Sequence, residues 1–321
     1  MPSDEPQDDG RDALTDMVRD DGEHRSGFVT IVGRPNVGKS TLINQLVGDK
    51  VAITSSRPNT TRFAIRGIVT RPGAQAVFVD TPGIHKPKTT LGERLNESAY
   101  DSLHDVDVVV VVIEASAKIG PGDTAVLDRA LDTLRGRAGG TRVLYVVVNK
   151  VDKVGPEQVA AQLLEVVALV DKLQGNQQAV EVEFFPISAK TGKGVAALLD
   201  AILAGLPEGP QFYPAEVTTD TPEALQLAEL VREQLLSRTR DELPHSIACR
   251  VTEWEWPRVR VEILVERDSQ KGIVIGAGGD VLRQVGTAVR AAYAPEMFLE
   301  LFVRVEKQWQ RRDDALDRLG Y

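Results

Sequence analysis

Several things are scarce in this chain of 321 residues, and each scarcity removes a class of protein. One cysteine, Cys249, excludes an internal disulfide and suits a reducing compartment. Four histidines, His24, His85, His104 and His245, are scattered, and no Cys/His spacing offers a zinc site. The longest run of branched apolar residues is Val108 to Ile113, far short of the roughly 20 residues that a membrane-crossing helix needs. No basic and then apolar leader pattern opens the sequence, so the expectation is a soluble intracellular protein. Positive charge is not in excess either. The net charge of −9 argues against a domain-wide field for nucleic acid. The deficit is uneven, however: residues 1–26 hold nine acidic and three basic residues, whereas residues 222–321 hold 17 and 15. The body is nearly neutral, which leaves room for a local basic surface.

The length fits about two domains, and 42% apolar residues suffice for their cores. Residues 1–26, acidic and poor in aromatics, cannot bury enough surface to offset ordering entropy and read as a disordered tail. Over residues 27–206, strand-like runs (Phe28 to Val32, Phe63 to Val69, Ala76 to Val79, Val108 to Glu114, Val143 to Val148, Val182 to Ile187) alternate with helical periods. The last four read mostly as strands buried on both faces of a parallel sheet, which predicts a three-layer α/β domain with ligand loops at the strands' carboxyl ends. Residues 207–221, with Pro207, Pro210 and Pro214 and no apolar period, read as a linker. Residues 222–321 give the order helix, strand, strand, helix, loop, helix, strand, a smaller α+β domain.

Chemistry concentrates in the first domain. Gly33-Arg34-Pro35-Asn36-Val37-Gly38-Lys39-Ser40 lies between a strand and a helix, as a phosphate-binding loop requires. Its glycines let backbone N–H groups turn toward phosphate, Lys39 adds a mobile cation, and Ser40 can ligate Mg2+. Asp80-Thr81-Pro82-Gly83 ends a strand where a carboxylate can hold Mg2+ and the Gly83 N–H can sense a terminal phosphate. Asn149-Lys150-Val151-Asp152 ends another, and the Asp152 carboxylate can accept two N–H groups that guanine presents and adenine does not. Ser188-Ala189-Lys190 follows the next strand and can complete a base pocket with a backbone N–H. Four motifs in order, each at the carboxyl end of a predicted strand, point to a guanine-nucleotide site with GTP and GDP as ligands. An ATP-using reading is disfavoured by Asp152.

These residues resemble a bacterial translation-factor-class small GTPase. The resemblance places a switch threonine in Asn59-Thr60-Thr61-Arg62, with Thr61 favoured over Thr60 as a ligand of Mg2+. It also exposes a departure: Ile84 stands where many signalling GTPases carry the glutamine that orients water. Asn36 occupies the position that, in related GTPases, helps hold K+; the alternative is that it only braces the loop. In the second domain, Gly276-Ala277-Gly278-Gly279 between two helices resembles the Gly-x-x-Gly loop of KH domains, which clamps a nucleotide backbone.

Together with Leu243-Pro244-His245-Ser246, Val265-Glu266-Arg267 and Trp309 to Tyr321, the pattern is similar to the Era GTPase family over nearly all of residues 27–321. That likeness implies a GTP-hydrolysing factor for small-subunit maturation that binds small-subunit ribosomal RNA near its 3′ end. It further implies a monomer with peripheral contact at the inner face of the cell membrane. Gly278 stands where the family usually has a basic residue, which leaves Lys271 and Arg283 as the nearest cations to the loop. Trp254 and Trp256 read as a packed hairpin tip rather than a stacking platform, and Arg311-Arg312-Asp313-Asp314 as a solvated helix face. The competing class is an interaction module whose nucleotide turnover is incidental.

Overall fold

The computed structural model describes residues 24–55, 60–83, 87, 89–101, 106–136, 143–175, 180–239 and 243–321. Expectations for residues 1–23, Asn59, Ile84, His85 and His104 fall outside the described residues. The first domain is a six-stranded sheet in the order β2-β3-β1-β4-β5-β6. Its strands are β1 (Arg25–Gly33), β2 (Ile65–Arg71), β3 (Ala74–Asp80), β4 (Val108–Glu114), β5 (Val143–Asn149) and β6 (Glu181–Pro186). Every neighbouring pair is parallel except β2 and β3. That exception follows from Pro72-Gly73, a two-residue turn with Gly73 at φ +75°, because so short a connection can only return the chain antiparallel. β6 differs from expectation too. It is an edge strand, half-exposed along its length, and Glu181 and Glu183 keep that edge from recruiting another strand.

The valine run of β4 shows why the middle of the sheet is apolar on both faces. Val108, Val110 and Val112 point to one side, where α1 (Lys39–Val47) and α5 (Val195–Gly205) bring Leu42, Ile43, Leu198 and Ile202. Val109, Val111 and Ile113 point to the other, against Leu127, Leu131 and Val166 of α3 (Pro121–Arg135) and α4 (Pro156–Gln174). Strand order reverses between β1 and β4, and the crevice at that reversal is where an open α/β sheet holds its ligand.

β1 begins at Arg25, inside the stretch expected to be tail, because residues beyond the first domain tie it down. Ser26 N–H donates to Pro207 O at 3.0 Å and Gly209 N–H to His24 O at 3.0 Å. The fully buried Gln75 side chain accepts N–H bonds from Phe212 and Tyr213 at 2.8 and 2.9 Å, and Phe212 stacks on Phe28 at 5.3 Å. The expected linker is thus strapped along the first domain by backbone bonds that leave no trace in apolar periodicity.

The second domain contains α6 (Glu223–Arg238), β7 (Ala248–Glu255), β8 (Arg258–Val265), α7 (Asp268–Ile275), α8 (Asp280–Tyr293), β9 (Phe298–Val305) and α9 (Asp313–Leu319). Its sheet runs β7-β8-β9, with β7 antiparallel and β9 parallel to β8. Leu227, Val231 and Leu235 of α6, with Val285 and Val289 of α8, cover one face over Val259, Val261 and Ile263. α7 starts five residues before its apolar stretch because the Gln270 side-chain oxygen Oε1 accepts the N–H groups of Glu266 and Arg267, capping its first turn. Trp254 packs edge-on against Tyr293 at 6.4 Å, whereas Trp256 is exposed.

Part of the other sheet face is closed by the first domain. Trp309, fully buried with Ala248, Leu264, Leu316 and Leu319, meets Leu91 and Leu95 of α2 (Thr90–Asp101). Arg94 of α2 pairs with Asp313 and Asp317, each at 2.7 Å. Residues 311–314 are exposed, as expected of a solvated face, and Asp313 also pairs across the domains, which charge pattern alone could not disclose. Among the described residues no helix is long and apolar enough to cross a membrane. Replacing the buried Ile202 with Ala should destabilise the first domain by about 2–5 kcal/mol, read as a lowered urea midpoint at unchanged slope.

Candidate functional site

The phosphate loop spans the gap between Gly33, which ends β1, and Lys39, which starts α1. Asn36 and Gly38 take left-handed backbone, at φ 66° and 105°. A Cβ on Gly38 would stand 2.3 Å from Asn149 Nδ2, so glycine is required there. The same amide donates to Val37 O at 2.8 Å, and Lys150 Nζ donates to Asn36 O at 2.6 Å. Asn149 and Lys150 therefore brace the loop from the side of the expected base pocket. Lys150 is held in turn by Glu114, the last residue of β4, at 2.7 Å. Burial raises the Glu114 carboxyl, but bonds from Lys150 and Ser116 outweigh it and keep the group below its usual range. Sequence reasoning missed Glu114; its place at the ligand end of a central strand was the available signal.

Arg34 joins the loop to α3. Its backbone belongs to the loop, but its guanidinium turns away to Asp123 of α3, 2.9 Å distant, whose carboxylate is buried. Lys39 is buried as well, its Nζ 3.0 Å from Gly33 O and 3.1 Å from Arg34 O. Burial lowers this amine to about 8, against the opposing pull of Asp80. In front of the loop lies a cavity of about 410 Å³ lined by Gly38, Lys39, Ser40, Thr61, Gly83 and Lys150 among others, a size in the range of small-molecule sites.

Three oxygens converge at one end of this cavity. Ser40 Oγ is 3.0 Å from Thr61 Oγ1 and 2.8 Å from Asp80 Oδ2, and Thr61 Oγ1 is 3.1 Å from the same carboxylate oxygen. Asp80 is fully buried, and its other oxygen has no hydrogen-bond partner among the described residues. Burial pushes this carboxyl up, opposed by Lys39, Ser40 and Thr61. A hard-oxygen set with an orphaned buried carboxylate oxygen fits Mg2+, which takes few protein ligands and fills its remaining positions with water and phosphate. Thr60 takes another role, its carbonyl accepting a bond from Arg232 of α6. Thr81 and Pro82 are buried, and the Thr81 hydroxyl donates to Ile31 O at 3.1 Å, so they anchor the segment that presents Gly83.

Beyond Asn149, Ser188 Oγ donates to Asp152 Oδ1 at 2.6 Å and holds that carboxyl below its ordinary range. Ala189 N–H donates to Asn149 Oδ1 at 2.9 Å. Ser188 N–H donates to Lys193 O at 2.9 Å, so the backbone donors of both residues are engaged within the protein, and Lys190 beside them is exposed. Asp152 and Lys190 are both exposed, and Lys153, next to Asp152, lines the cavity.

In the second domain, Gly276 takes φ 77°, and a Cβ there would meet Val281 N at 2.8 Å, so α7 and α8 can close on each other only through glycine. Gly278 and Gly279 are left-handed with open space around them. Gly279 N–H is engaged with Gly276 O at 3.1 Å, and Asp280 N–H with Ala277 O. Arg283 is exposed, bonded to Gly278 O at 3.3 Å and 3.6 Å from Asp280, while Lys271 is half-buried on α7. The loop thus presents backbone and one arginine to the outside.

Comparison with known proteins agrees with both halves. Residues 28–168 match the family model described as 50S ribosome-binding GTPase, and residues 242–310 the model described as KH domain. The GTPase Era proteins of Mycobacterium tuberculosis and Mycobacterium avium are each 48% identical to the chain, over 93% of it and 99% of their own length. Two solved structures superpose with a TM-score of 0.82 at 36% identity. One is a point variant of Aquifex aeolicus Era bound to GDP and AlF4−, covering 92% of this chain and 99% of that one. The other is Era with MgGDPNP and nucleotides 1506–1542 of 16S ribosomal RNA, covering 93% and 99%. Identity of 48% across both domains, well beyond what a shared fold requires, means that this chain belongs to the Era family of GTPases.

Proposed function

We propose that the protein hydrolyses GTP at the cavity in front of Lys39 while its second domain holds small-subunit ribosomal RNA near the 3′ end, as a factor in small-subunit maturation. The observation that carries this reading is the likeness over both domains to a relative that holds MgGDPNP and 16S RNA together. The phrase 50S in one family description attaches to residues 28–168 alone, a stretch that excludes the Gly276 to Gly279 loop. It therefore says nothing about the RNA that this second domain selects.

In this reading Gly33 to Ser40 wrap the phosphates, and Asp152, with Asn149, Lys150 and the 188–190 stretch, reads guanine. Ser40, Thr61 and Asp80 would hold Mg2+. Bound there, the ion would supply positive charge to the phosphate oxygens as the transition state develops. Lys39 adds a second cation, and Gly83 an N–H toward the terminal phosphate. K+ beside Asn36, action as a monomer and peripheral membrane contact enter on the resemblance alone. At Gly276 to Gly279, an RNA backbone would lie against the start of α8, with Arg283 and Lys271 as neighbouring cations.

The base assignment predicts that Asp152→Asn lowers GTP affinity by roughly 10²–10⁴-fold, the loss of two hydrogen bonds to a charged acceptor, and admits xanthosine triphosphate. Calorimetric titration checks this, and equal GTP and ATP binding by the wild type would refute it. Because an aliphatic Ile84 cannot orient water, Ile84→Ala should change single-turnover hydrolysis only a few-fold; a thousandfold loss with nucleotide binding intact would contradict this. The same assay in Na+ instead of K+ should run slower if Asn36 serves an ion. For RNA, changing Ala277 and Gly278 together to Asp should abolish binding of a single-stranded 16S 3′-end oligonucleotide by charge repulsion. Open space at Gly278, and the tolerance of Asp for left-handed backbone, keep the fold and the GTP affinity. Wild-type RNA affinity in that variant would show the loop to be only a turn.

A further inference from the structure

The residue after the switch threonine does not stay in the first domain. Arg62 is 5% exposed, and its Nη1 donates to Ile247 O, just before β7, at 2.7 Å. Its guanidinium lies 5.6 Å from the Trp309 ring centre and 5.9 Å from that of Tyr321. Phe63 stacks on Tyr321 at 4.8 Å, and Tyr321 on Trp309 at 6.0 Å. On the other side of Thr61, Arg232 of α6 holds the Thr60 carbonyl. Thr61 is therefore flanked on both sides by residues seated in the second domain, while its own hydroxyl faces Ser40 and Asp80.

The contacts continue toward the glycine loop. Trp309 Nε1 donates to Ser246 O at 3.0 Å, and Ser246 Oγ accepts from Gln270 Nε2 at 2.9 Å. Gln270 is the capping residue of α7, the helix that ends at Gly276. Chain connectivity and hydrogen bonds thus link the Asp80 carboxylate to the loop through Thr61, Arg62, Ile247, Ser246 and Gln270.

We propose that Arg62 is a positioning residue for GTP hydrolysis, through which the second domain holds Thr61 at the metal side of the site, and that Ser246 joins this hold to the glycine loop. The proposal deepens the function given above and rests on Thr61 sensing the γ-phosphate side. The physical reason is the short tether. Adjacent Cα atoms are about 3.8 Å apart, so Thr61 cannot leave Asp80 by several ångströms without drawing Arg62 from its buried seat. Doing so strips a cation from two aromatic faces and leaves the Ile247 carbonyl without its donor. A second domain seated on Arg62 therefore favours the arrangement that binds triphosphate. By linkage, triphosphate favours that seating to the same degree.

The test uses the full chain. Affinities for GDP and for a non-hydrolysable GTP analogue, and single-turnover hydrolysis at saturating GTP, are measured for wild type, Arg62→Ala and Arg62→Lys. Arg62→Ala should bind GDP within about twofold of wild type, yet lose about 5- to 100-fold in analogue affinity relative to GDP and slow hydrolysis, with partial rescue by lysine. Unchanged discrimination and rate in Arg62→Ala would overturn the positioning role. If that variant fails to bind GDP through misfolding, Arg62→Lys decides by the same criterion. Ser246→Ala should keep wild-type discrimination without RNA but lose the tightening of analogue binding that a single-stranded 16S 3′-end oligonucleotide produces. A full RNA effect in Ser246→Ala would overturn the link. No RNA binding by the wild type would overturn the RNA reading and the link together, while the Arg62 measurements, which contain no RNA, still decide the positioning role.

Discussion

A carboxylate with no exposure to water, Asp80 at the end of β3, is the constraint around which the first domain is arranged. Burying it is costly, and the structure offsets that cost with the hydroxyls of Ser40 and Thr61 and the nearby Lys39 amine. These partners arrive from two separate segments: Lys39 and Ser40 from the first turn of α1, and Thr61 from the stretch before β2. The fold brings them together because β3 and β1 are parallel neighbours, which puts the carboxyl end of β3 beside the loop that leaves β1. One oxygen has no hydrogen-bond partner among the described residues, and a divalent ion would satisfy both that orphan and the buried charge.

The second domain is joined to this centre by more than a linker. Residues 207–220 are bonded to β1, β2 and the buried Gln75, and α2 and the Thr60 to Phe63 segment are packed into the face that Trp309 and Tyr321 provide. The interface holds Arg62 nearly fully buried and Arg232 fully so, the latter paired with Glu229 at 2.5 Å. Both guanidiniums also bond a backbone carbonyl across the domains, so separating the domains would strand buried donors and acceptors. The cost of that separation ties the domains together more firmly than the linker alone would.

The first domain's four motifs were legible because each is a short run of residue types, and the structure sets each at the carboxyl end of a strand, as their spacing implied. The glycine loop was legible for the same reason. The pairing of Arg34 with Asp123 escaped because motif membership says where a backbone goes, not where a long side chain turns, and Asp123 lies 89 residues later. Glu114 and Gln75 escaped because a lone polar residue at a strand end or inside an apolar run carries no periodic signal. Residues 207–221 read as an unattached linker because backbone-to-backbone bonds are independent of side-chain type. The pairing of the exposed Asp313 with Arg94 escaped because the two are distant in sequence and close only after the domains dock.

By itself, then, the sequence determined the two domains, their element order, the nucleotide motifs and the family, since all of these follow from local spacing and hydrophobic period. Only the tertiary structure decided which hydroxyls and carboxylate meet, which loop donors are already engaged, and how the segment after Asn59 is seated. Thr61 points to Asp80 and Arg62 to Trp309 and Tyr321 because each finds its partners in a different part of the fold. Hydrogen bonds and ring contacts across 19 to 259 residues of chain are set by packing, and no local pattern encodes them.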